Sequence, residues 1–330
     1  MAQETDRLLD GVGRYLPEAV RRSVLALPRE TETKVEEIRL RAERPLGVTG
    51  VMGEPFLTAR GLPTQDPTQA LLVHREEIES TLERMAGFSV YALEEELRQG
   101  FLTLPGGHRV GIVGHTVLEN RRVRLIKQVG GLDIRIARAV PGSALAILPY
   151  LLDGHGSLCS TLVVSPPRAG KTTLLRELIR LVSAGVPSLG LIGASVGVAD
   201  ERSELGAVDH GVPTLDLGPR TDILDGCPKA EGLLMLIRAM GPRVLATDEL
   251  GRSEEAEALL EAVSAGVRLM ATVHGTSLKD VKRRPGLRPL WEGGVFERAV
   301  LLSRRKGPGS VECVEDGEGR TLLGRGGEAA

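Results

Sequence analysis

The feature that most constrains the fold of this chain is the segment SPPRAGKTT at residues 165–173. An apolar stretch over 161–164 precedes it, and the residues after it have the apolar spacing of an amphipathic helix. Where a buried strand leads into a helix, successive backbone N–H groups and the helix N-terminus together attract phosphate. The segment therefore predicts a phosphate-binding loop at the edge of a parallel sheet.

Each position of this loop has a chemical reason. Gly170 lets the backbone approach a phosphate closely, Lys171 brings charge to the β- and γ-phosphates, and Thr172 offers a hydroxyl to Mg²⁺. Ser165 stands where the pattern has its first glycine, and a positive φ there would cost about 1 kcal/mol or more. The predicted nucleotide-binding residues are Ser165, Pro166, Pro167, Arg168, Ala169, Gly170, Lys171, Thr172 and Thr173.

The surrounding chain alternates short apolar strands with amphipathic helices. Strands are predicted over 161–164, 196–199, 244–247 and 267–273, and helices over 171–184, 228–240 and 253–265. This alternation is typical of a mainly parallel sheet that lies between helices. The predicted fold class is α/β, with a C-terminal P-loop NTPase domain over 142–310.

The first 141 residues have a different pattern and predict a smaller α+β domain. Helices are predicted over 74–87 and 91–100, and alternating apolar residues predict strands near Ile38, Val110 and Ile134. A turn is predicted at Gly106 and Gly107, between two of the strands. We expect domains over 1–141 and 142–310, followed by a C-terminal strand and a flexible tail over 311–330.

Two adjacent acids, Asp248 and Glu249, follow the predicted strand 244–247. The carboxyl ends of parallel strands meet at one edge of a sheet, so both acids are expected beside the phosphate loop. There Asp248 is a candidate Mg²⁺ ligand, and Glu249 is a candidate general base that polarises water. The alternative is an ordinary helix start with solvated carboxylates.

Further polar groups are predicted at the same edge. Asp200 and Glu201 follow the second strand, where they would orient water, and His274 ends the fourth strand, where it would hydrogen-bond the γ-phosphate. The alternatives are a solvated loop and a histidine without a role. The polar loop over 220–229 either senses nucleotide, contacts a neighbouring subunit or is a surface loop.

Composition limits the other classes of function. With 42 Lys and Arg against 44 Asp and Glu, and only 2% aromatic residues, direct nucleic-acid binding is disfavoured. Three cysteines without zinc-type spacing indicate reduced thiols in the cytoplasm. The first residues lack an apolar core and no window approaches ~18 consecutive apolar residues, so neither a secretion signal nor a transmembrane segment is expected.

Several stretches together resemble the stage III sporulation protein AA family, ATPases related to the type II and type IV secretion ATPases. In the second half the resemblance is carried by SPPRAGKTTLLREL, VADERSELGAV, RTDILDGCPKAEGLLMLIRAM, TDELG, ATVHG and VFERAVLLSRRKGPG. In the first half it is carried by EEIRLRAERPL, YALEEELRQGF, LPGGHRVGI and DIRIAR. The sequence departs from the family at Ser165, where glycine is usual.

The resemblance implies more than the motifs do by themselves. It implies a ring, expected to be a hexamer, that binds ATP and Mg²⁺ between N-terminal and C-terminal domains. It implies site roles for Asp200, Glu201 and His274, and arginine roles for Arg135 and Arg138 of DIRIAR. It further implies docking on a membrane-anchored sporulation partner, hence a cytoplasmic protein peripheral at the membrane, and a secretion-like channel between mother cell and forespore.

Four functions remain open at this point. The leading hypothesis is a Mg²⁺-dependent ATPase motor, and the second is a nucleotide-gated assembly scaffold with little or no turnover. A nucleic-acid motor is disfavoured by the balanced charge and the few aromatic residues. A small-molecule kinase would need an acceptor pocket and a lid, and neither is evident in the sequence.

Overall fold

The computed structural model describes residues 9–51, 53–87, 97–98, 100–119 and 121–324. The chain divides into two compact units, Met1–Arg138 and Ala139–Ala330. Each unit has its own sheet, and each is described by itself below.

The first unit is built on a seven-stranded sheet in the order β5-β4-β3-β1-β9-β8-β7, in which every recorded pair is antiparallel. A short ladder of β2 with β6 accompanies it. The strands are β1 Glu37–Arg41, β2 Arg44–Pro45, β3 Gly47–Thr49, β4 Phe56–Leu57, β5 Pro63–Thr64, β6 Leu72–Val73, β7 Phe101–Leu104, β8 His108–Glu119 and β9 Arg122–Arg135. The helices are α1 Asp10–Gly13, α2 Glu18–Leu25, α3 Arg29–Glu32 and α4 Arg75–Met85.

Alternating apolar residues form the core of this unit. Ile38, Val110 and Ile134 are fully buried, as the period of two predicts for strands with one covered face. Gly106 and Gly107 take φ values of 88° and 79° in the turn between β7 and β8, which confirms the predicted turn. Most of the helix predicted over 91–100 lies outside the described residues.

The second unit contains an eight-stranded sheet in the order β14-β11-β15-β16-β10-β17-β18-β19. The pairs from β14 to β17 are parallel, and β18 and β19 add antiparallel strands. Its strands are β10 Thr161–Ser165, β11 Val196–Asp200, β14 Thr221–Asp225, β15 Val244–Thr247, β16 Arg268–His274, β17 Arg298–Ser303, β18 Ser310–Asp316 and β19 Thr321–Leu323, with a separate ladder of β12 Val208–Asp209 and β13 Val212–Pro213. Its helices are α5 Leu148–Leu151, α6 Lys171–Ala184, α7 Lys229–Met240, α8 Ser253–Ser264, α9 Leu278–Lys282 and α10 Arg288–Glu292, with a 3₁₀ turn at Pro187–Leu189.

The central strands of this sheet are buried throughout, without the alternation of buried and exposed residues seen in the first unit. Every residue of β10, β11 and β15 is buried, as expected for parallel strands that helices cover on both faces. Strands and helices lie within a residue or two of the predicted bounds, and the predicted α/β fold with a mainly parallel sheet is confirmed.

The end of the described chain adds to this sheet. Strand β18 pairs with β17 and strand β19 pairs with β18, and the side chains of Val314 and Leu323 are buried. Part of the stretch that the sequence analysis separates as 311–330 therefore belongs to the second unit. Residues 325–330 lie outside the described residues.

No helix in the described ranges has the length and hydropathy needed to cross a membrane.

Candidate functional site

The phosphate loop lies at the carboxyl edge of the parallel sheet. Strand β10 ends at Ser165, which stands opposite His274 of β16, and α6 begins at Lys171. Gly170 has a left-handed φ of 87°, and a Cβ there would lie 3.0 Å from the backbone N of Gly309. Both the backbone conformation and the space therefore require glycine at this position.

Ser165 does not carry the backbone strain that the sequence raised as a concern. It is the last residue of β10, and it is absent from the residues with positive φ. Its carbonyl oxygen accepts from the N–H of Gly275 at 2.9 Å. Positive φ falls instead on Arg168, at 59°, and on Gly170. A serine is compatible with the first position of the loop because that position is extended.

Lys171, Thr172 and Asp248 form the centre of the site. The Nζ of Lys171 lies 3.4 Å from Oδ1 of Asp248, and the Lys171 side chain is almost fully buried. The Thr172 hydroxyl donates to Oδ2 of Asp248 at 2.6 Å. Residues 76 and 77 positions apart in sequence are thus in direct contact, because α6 begins and β15 ends at the same edge of the sheet.

Thr272 is a site residue that the sequence analysis missed. This buried side chain of β16 donates a hydrogen bond from its hydroxyl to Oδ1 of Asp248, and its Oγ1 accepts from the backbone N–H of Glu249 at 2.8 Å. One hydroxyl thereby orients both acids. The signal in the sequence is a hydroxyl within the apolar strand that leads to His274.

The Glu249 carboxylate lies among three basic side chains. Its Oε2 is 3.2 Å from Arg202 and 3.8 Å from Nζ of Lys171, and its Oε1 is 3.3 Å from Nε2 of His274. The residue has a φ of 56°, a left-handed conformation that is uncommon outside glycine. Such strain is typical of functional sites when neighbouring groups hold it in place.

His274 contacts the Glu249 carboxylate through Nε2. Its Nδ1 is buried and has no hydrogen-bond partner in the part of the chain that the structure describes. The imidazole therefore retains a polar atom for a further contact.

Glu201 and Lys229 form a second group of charged side chains next to Asp248 and Glu249. Oε2 of Glu201 is 3.5 Å from Nζ of Lys229, which also donates to the backbone carbonyl of Glu249 at 2.6 Å. A small pocket at this point is lined by residues of the β11 loop together with Lys229, Asp248 and Glu249.

Asp200 is directed into its own loop. Its carboxylate accepts hydrogen bonds from the backbone N–H groups of Glu204, Leu205 and Gly206 at 2.9 to 3.0 Å. Burial raises its pKa to about 6, although these hydrogen bonds act in the opposite direction. Asp200 thus shapes the loop that carries Glu201.

Arg135 and Arg138, for which the resemblance implies a role at the nucleotide, belong to the first unit. The Nε of Arg135 is 3.5 Å from Glu37 and 3.9 Å from Asp133, and Arg138 donates to the carbonyl of Val35 at 2.5 Å. Their role at the nucleotide stays a prediction.

The donor set suits Mg²⁺. Among the described residues no group of three or more His, Cys, Asp or Glu is suited to hold a metal by itself. The Thr172 hydroxyl and the Asp248 carboxylate nevertheless present adjacent oxygen atoms beside the phosphate loop. Mg²⁺ in nucleotide sites is usually held by one or two such protein oxygens together with phosphate and water. The residues present therefore fit a Mg²⁺ ion bound with a nucleotide.

Comparison with known sequences gives a match along nearly the whole chain. The family described as "Sporulation stage III, protein AA" matches residues 9–322. A Bacillus subtilis (strain 168) protein described as "Stage III sporulation protein AA" is 40% identical over 314 residues, which cover 95% of this chain and 97% of the relative.

Comparison with solved structures gives the fold. The Legionella pneumophila ATPase DotB is similar with a TM-score of 0.53 and 14% identity, over 84% of this chain and 74% of that chain. The pilus retraction motor PilT, with bound ADP, is similar with a TM-score of 0.51 and 13% identity, over 82% and 75% of the two chains. At these identities the likeness shows a shared fold of the secretion-ATPase type.

Proposed function

The chain belongs to the sporulation stage III, protein AA family, and we propose that it is a Mg²⁺-dependent ATPase, the motor of a secretion-like complex in endospore formation. The observation that carries the proposal is the contact of Lys171 and Thr172 with Asp248, beside the left-handed Glu249. The sequence relationship supports a role in endospore formation. The similarity in fold to known ATPases supports ATP hydrolysis.

In this proposal the loop residues 165–173 bind ATP. Backbone N–H groups and the N-terminus of α6 hold the β-phosphate, and Lys171 neutralises charge on the β- and γ-phosphates. Thr172 and Asp248 would hold Mg²⁺, which when bound would act as a Lewis acid that stabilises negative charge on the phosphates. Lys171 belongs to this loop, and its ammonium lies 3.4 Å from Oδ1 of Asp248.

Glu249 acts as the general base. A water oxygen attacks the γ-phosphorus, its proton passes to the Glu249 carboxylate, and the bond to the β–γ bridging oxygen breaks to release ADP and phosphate. His274 donates a hydrogen bond to the γ-phosphate, and Glu201 orients the water from the β11 loop. Arg135 of the first unit stabilises the charge that develops on the transferred phosphoryl group, within one chain or between neighbours in a ring.

The assembly is proposed to be a homo-oligomeric ring, with a hexamer as the expected size. It docks on a membrane-anchored sporulation partner from the cytoplasmic side and contacts no nucleic acid directly. Similarity in fold to the ATPase DotB and to the pilus retraction motor PilT supports a motor in which hydrolysis is coupled to movement of domains or subunits.

The proposal is tested by substituting the base. Glu249→Gln removes the proton acceptor but keeps the size of the side chain, so turnover should fall by at least about 100-fold. Affinity for a fluorescent ATP analogue in Mg²⁺ should change less than about threefold, because the phosphate loop is untouched. Phosphate release by the full-length chain is measured across a range of protein concentrations, with size measured in parallel.

The matched control is Glu254→Gln, which changes an exposed glutamate of α8 in the same way. Turnover by Glu249→Gln at the wild-type rate would exclude the proposed base. Binding of Mg²⁺ and ATP by the wild type without phosphate release would favour the second candidate, a nucleotide-gated scaffold. The presence of Glu249 argues against a scaffold, because binding alone needs no base.

A further inference from the structure

Lys229, the first residue of α7, has an unusual environment for a lysine. It is 8% exposed, and its Nζ lies 2.6 Å from the carbonyl oxygen of Glu249, 3.3 Å from Oε1 of Glu255 and 3.5 Å from Oε2 of Glu201. A buried ammonium is destabilising unless acceptors surround it, and it has three N–H groups to donate. Three acceptors from three segments of the chain meet that need.

The acceptor at the shortest distance belongs to a strained residue. A left-handed backbone is unfavourable outside glycine, so the φ of 56° at Glu249 persists only if neighbours hold it. The N–H of Glu249 donates to Thr272, and its carbonyl accepts from Lys229. Side chains of two other elements, β16 and α7, therefore fix both peptide groups of this residue.

Glu255 extends this support to the turn that follows. Its Oε2 accepts from the backbone N–H groups of Gly251 and Arg252, while its Oε1 faces Lys229. Lys229 therefore contacts both ends of the turn after Glu249, through the carbonyl oxygen of Glu249 and the carboxylate of Glu255. Glu255 is itself buried, which makes an unpaired carboxylate there unfavourable.

We propose that Lys229 is a positioning residue that holds the Glu249 peptide so that its carboxylate faces the phosphate loop, and that keeps Glu201 on the same side. The proposal rests on the proposed ATPase function and deepens it. Lys229 acts through Glu249, since its ammonium is directed at a backbone carbonyl and at two carboxylates. This gives a specific role to the polar loop over 220–229.

Lys229→Met in the full-length chain tests this role, because methionine keeps much of the volume but removes the charge and the donors. We expect the kcat for ATP to fall by about 30-fold, with the affinity for a fluorescent ATP analogue in Mg²⁺ unchanged within about threefold. Lys279→Met, at an exposed lysine of the same unit, is the matched control and should keep wild-type turnover.

Lys229→Arg separates positioning from general support of the fold. Arginine retains charge and donors, so it should recover at least about fivefold of the lost kcat. If Lys229→Met is insoluble, Glu255→Gln is measured instead, because it removes one anchor of the lysine and leaves Lys229 in place. The same selective fall, about fivefold in kcat, is expected for that variant.

The outcomes separate this inference from the function on which it rests. A wild-type chain that binds but never hydrolyses ATP defeats the ATPase proposal. An active wild type with Lys229→Met within threefold of it overturns only the role of Lys229. Equal losses of nucleotide affinity and kcat also overturn it, since a positioning residue for the base acts on kcat alone.

Discussion

The two units contain sheets of similar size but arrange their charged side chains differently. In the first unit every recorded strand pair of the seven-stranded sheet is antiparallel, and Arg39 of β1 pairs with Glu37 of the same strand and Asp133 of β9. In the second unit Lys171, the pair Asp248 and Glu249, and His274 come from the ends of three different strands or the loops that follow them, and they meet at one edge.

The difference follows from strand direction. Antiparallel neighbours place charged residues side by side on a sheet face, where they neutralise each other locally. Parallel neighbours bring every carboxyl end to the same edge, so that loops far apart in sequence converge. Strand direction therefore concentrates polar side chains at one edge of the sheet in the second unit.

The sharpest test of this contrast uses two left-handed glycines. Gly170→Ala places a Cβ 3.0 Å from the Gly309 backbone at a φ of 87°, so affinity for ATP should fall on the order of 100-fold, about 3 kcal/mol. Gly87→Ala in the first unit, with φ 57° and open space around the Cβ, should leave ATP affinity unchanged. Calorimetric titration of both variants with ATP and Mg²⁺ measures the difference, and similar affinities would remove the contrast.

Two buried titratable side chains should give the units opposite responses to pH. Burial lowers the pKa of His108 in the first unit to about 4, so its contribution to stability is present above about pH 6.5 and is lost as pH falls towards 4. Burial raises the pKa of Asp200 in the second unit to about 6, so its contribution is present below about pH 3.8 and is lost as pH rises through 6. Each shift corresponds to about 3 kcal/mol at its limit.

Urea unfolding of the full-length chain between pH 4 and 7.5 measures these contributions by difference. Relative to His108→Gln, the wild type should gain stability as pH rises. Relative to Asp200→Asn, it should lose stability over the same range. Slopes of the same sign would show that burial does not control these two groups in the way described.

The smallest expected effect comes from replacing a buried threonine in each unit by valine. Thr272→Val keeps the shape of the side chain but removes the hydroxyl that orients Asp248 and Glu249, and turnover should fall about 10-fold, or about 1.4 kcal/mol. Thr81→Val in α4 of the first unit removes a hydroxyl that bonds the carbonyl of Glu77, and turnover should stay within about twofold. Steady-state phosphate release is the measurement, and equal losses in both variants would contradict a site-specific role for Thr272.

Much of the second unit is predictable from sequence because its signals are local. The apolar run that becomes β10, the glycine before Lys171 and the apolar spacing of α6 each depend on neighbouring residues. The site edge is also predictable, since the order of strands and helices implies parallel pairing and thereby brings Asp248 and His274 to one place.

The features of the site that the sequence does not predict depend on contacts between segments that are distant in sequence. The role of Thr272 requires the register of β16 against its neighbours, and the burial of Lys229 requires three segments to meet around it. The residue type of Glu249 gives no sign of its left-handed backbone. The serine at position 165 suggests backbone strain, but its backbone is extended and unstrained. Such features depend on tertiary packing, to which local propensity is blind.

The position of β10 in the sheet has a consequence for how the chain is made. Both of its neighbours, β16 and β17, are synthesised more than 100 residues after it, and the N–H of Gly309 that bonds Ala169 comes later still. A growing polypeptide on the ribosome therefore exposes an apolar strand with two bare edges, an arrangement prone to aggregation. The contacts around the phosphate loop are completed only when translation is nearly finished, so a truncated product would lack them.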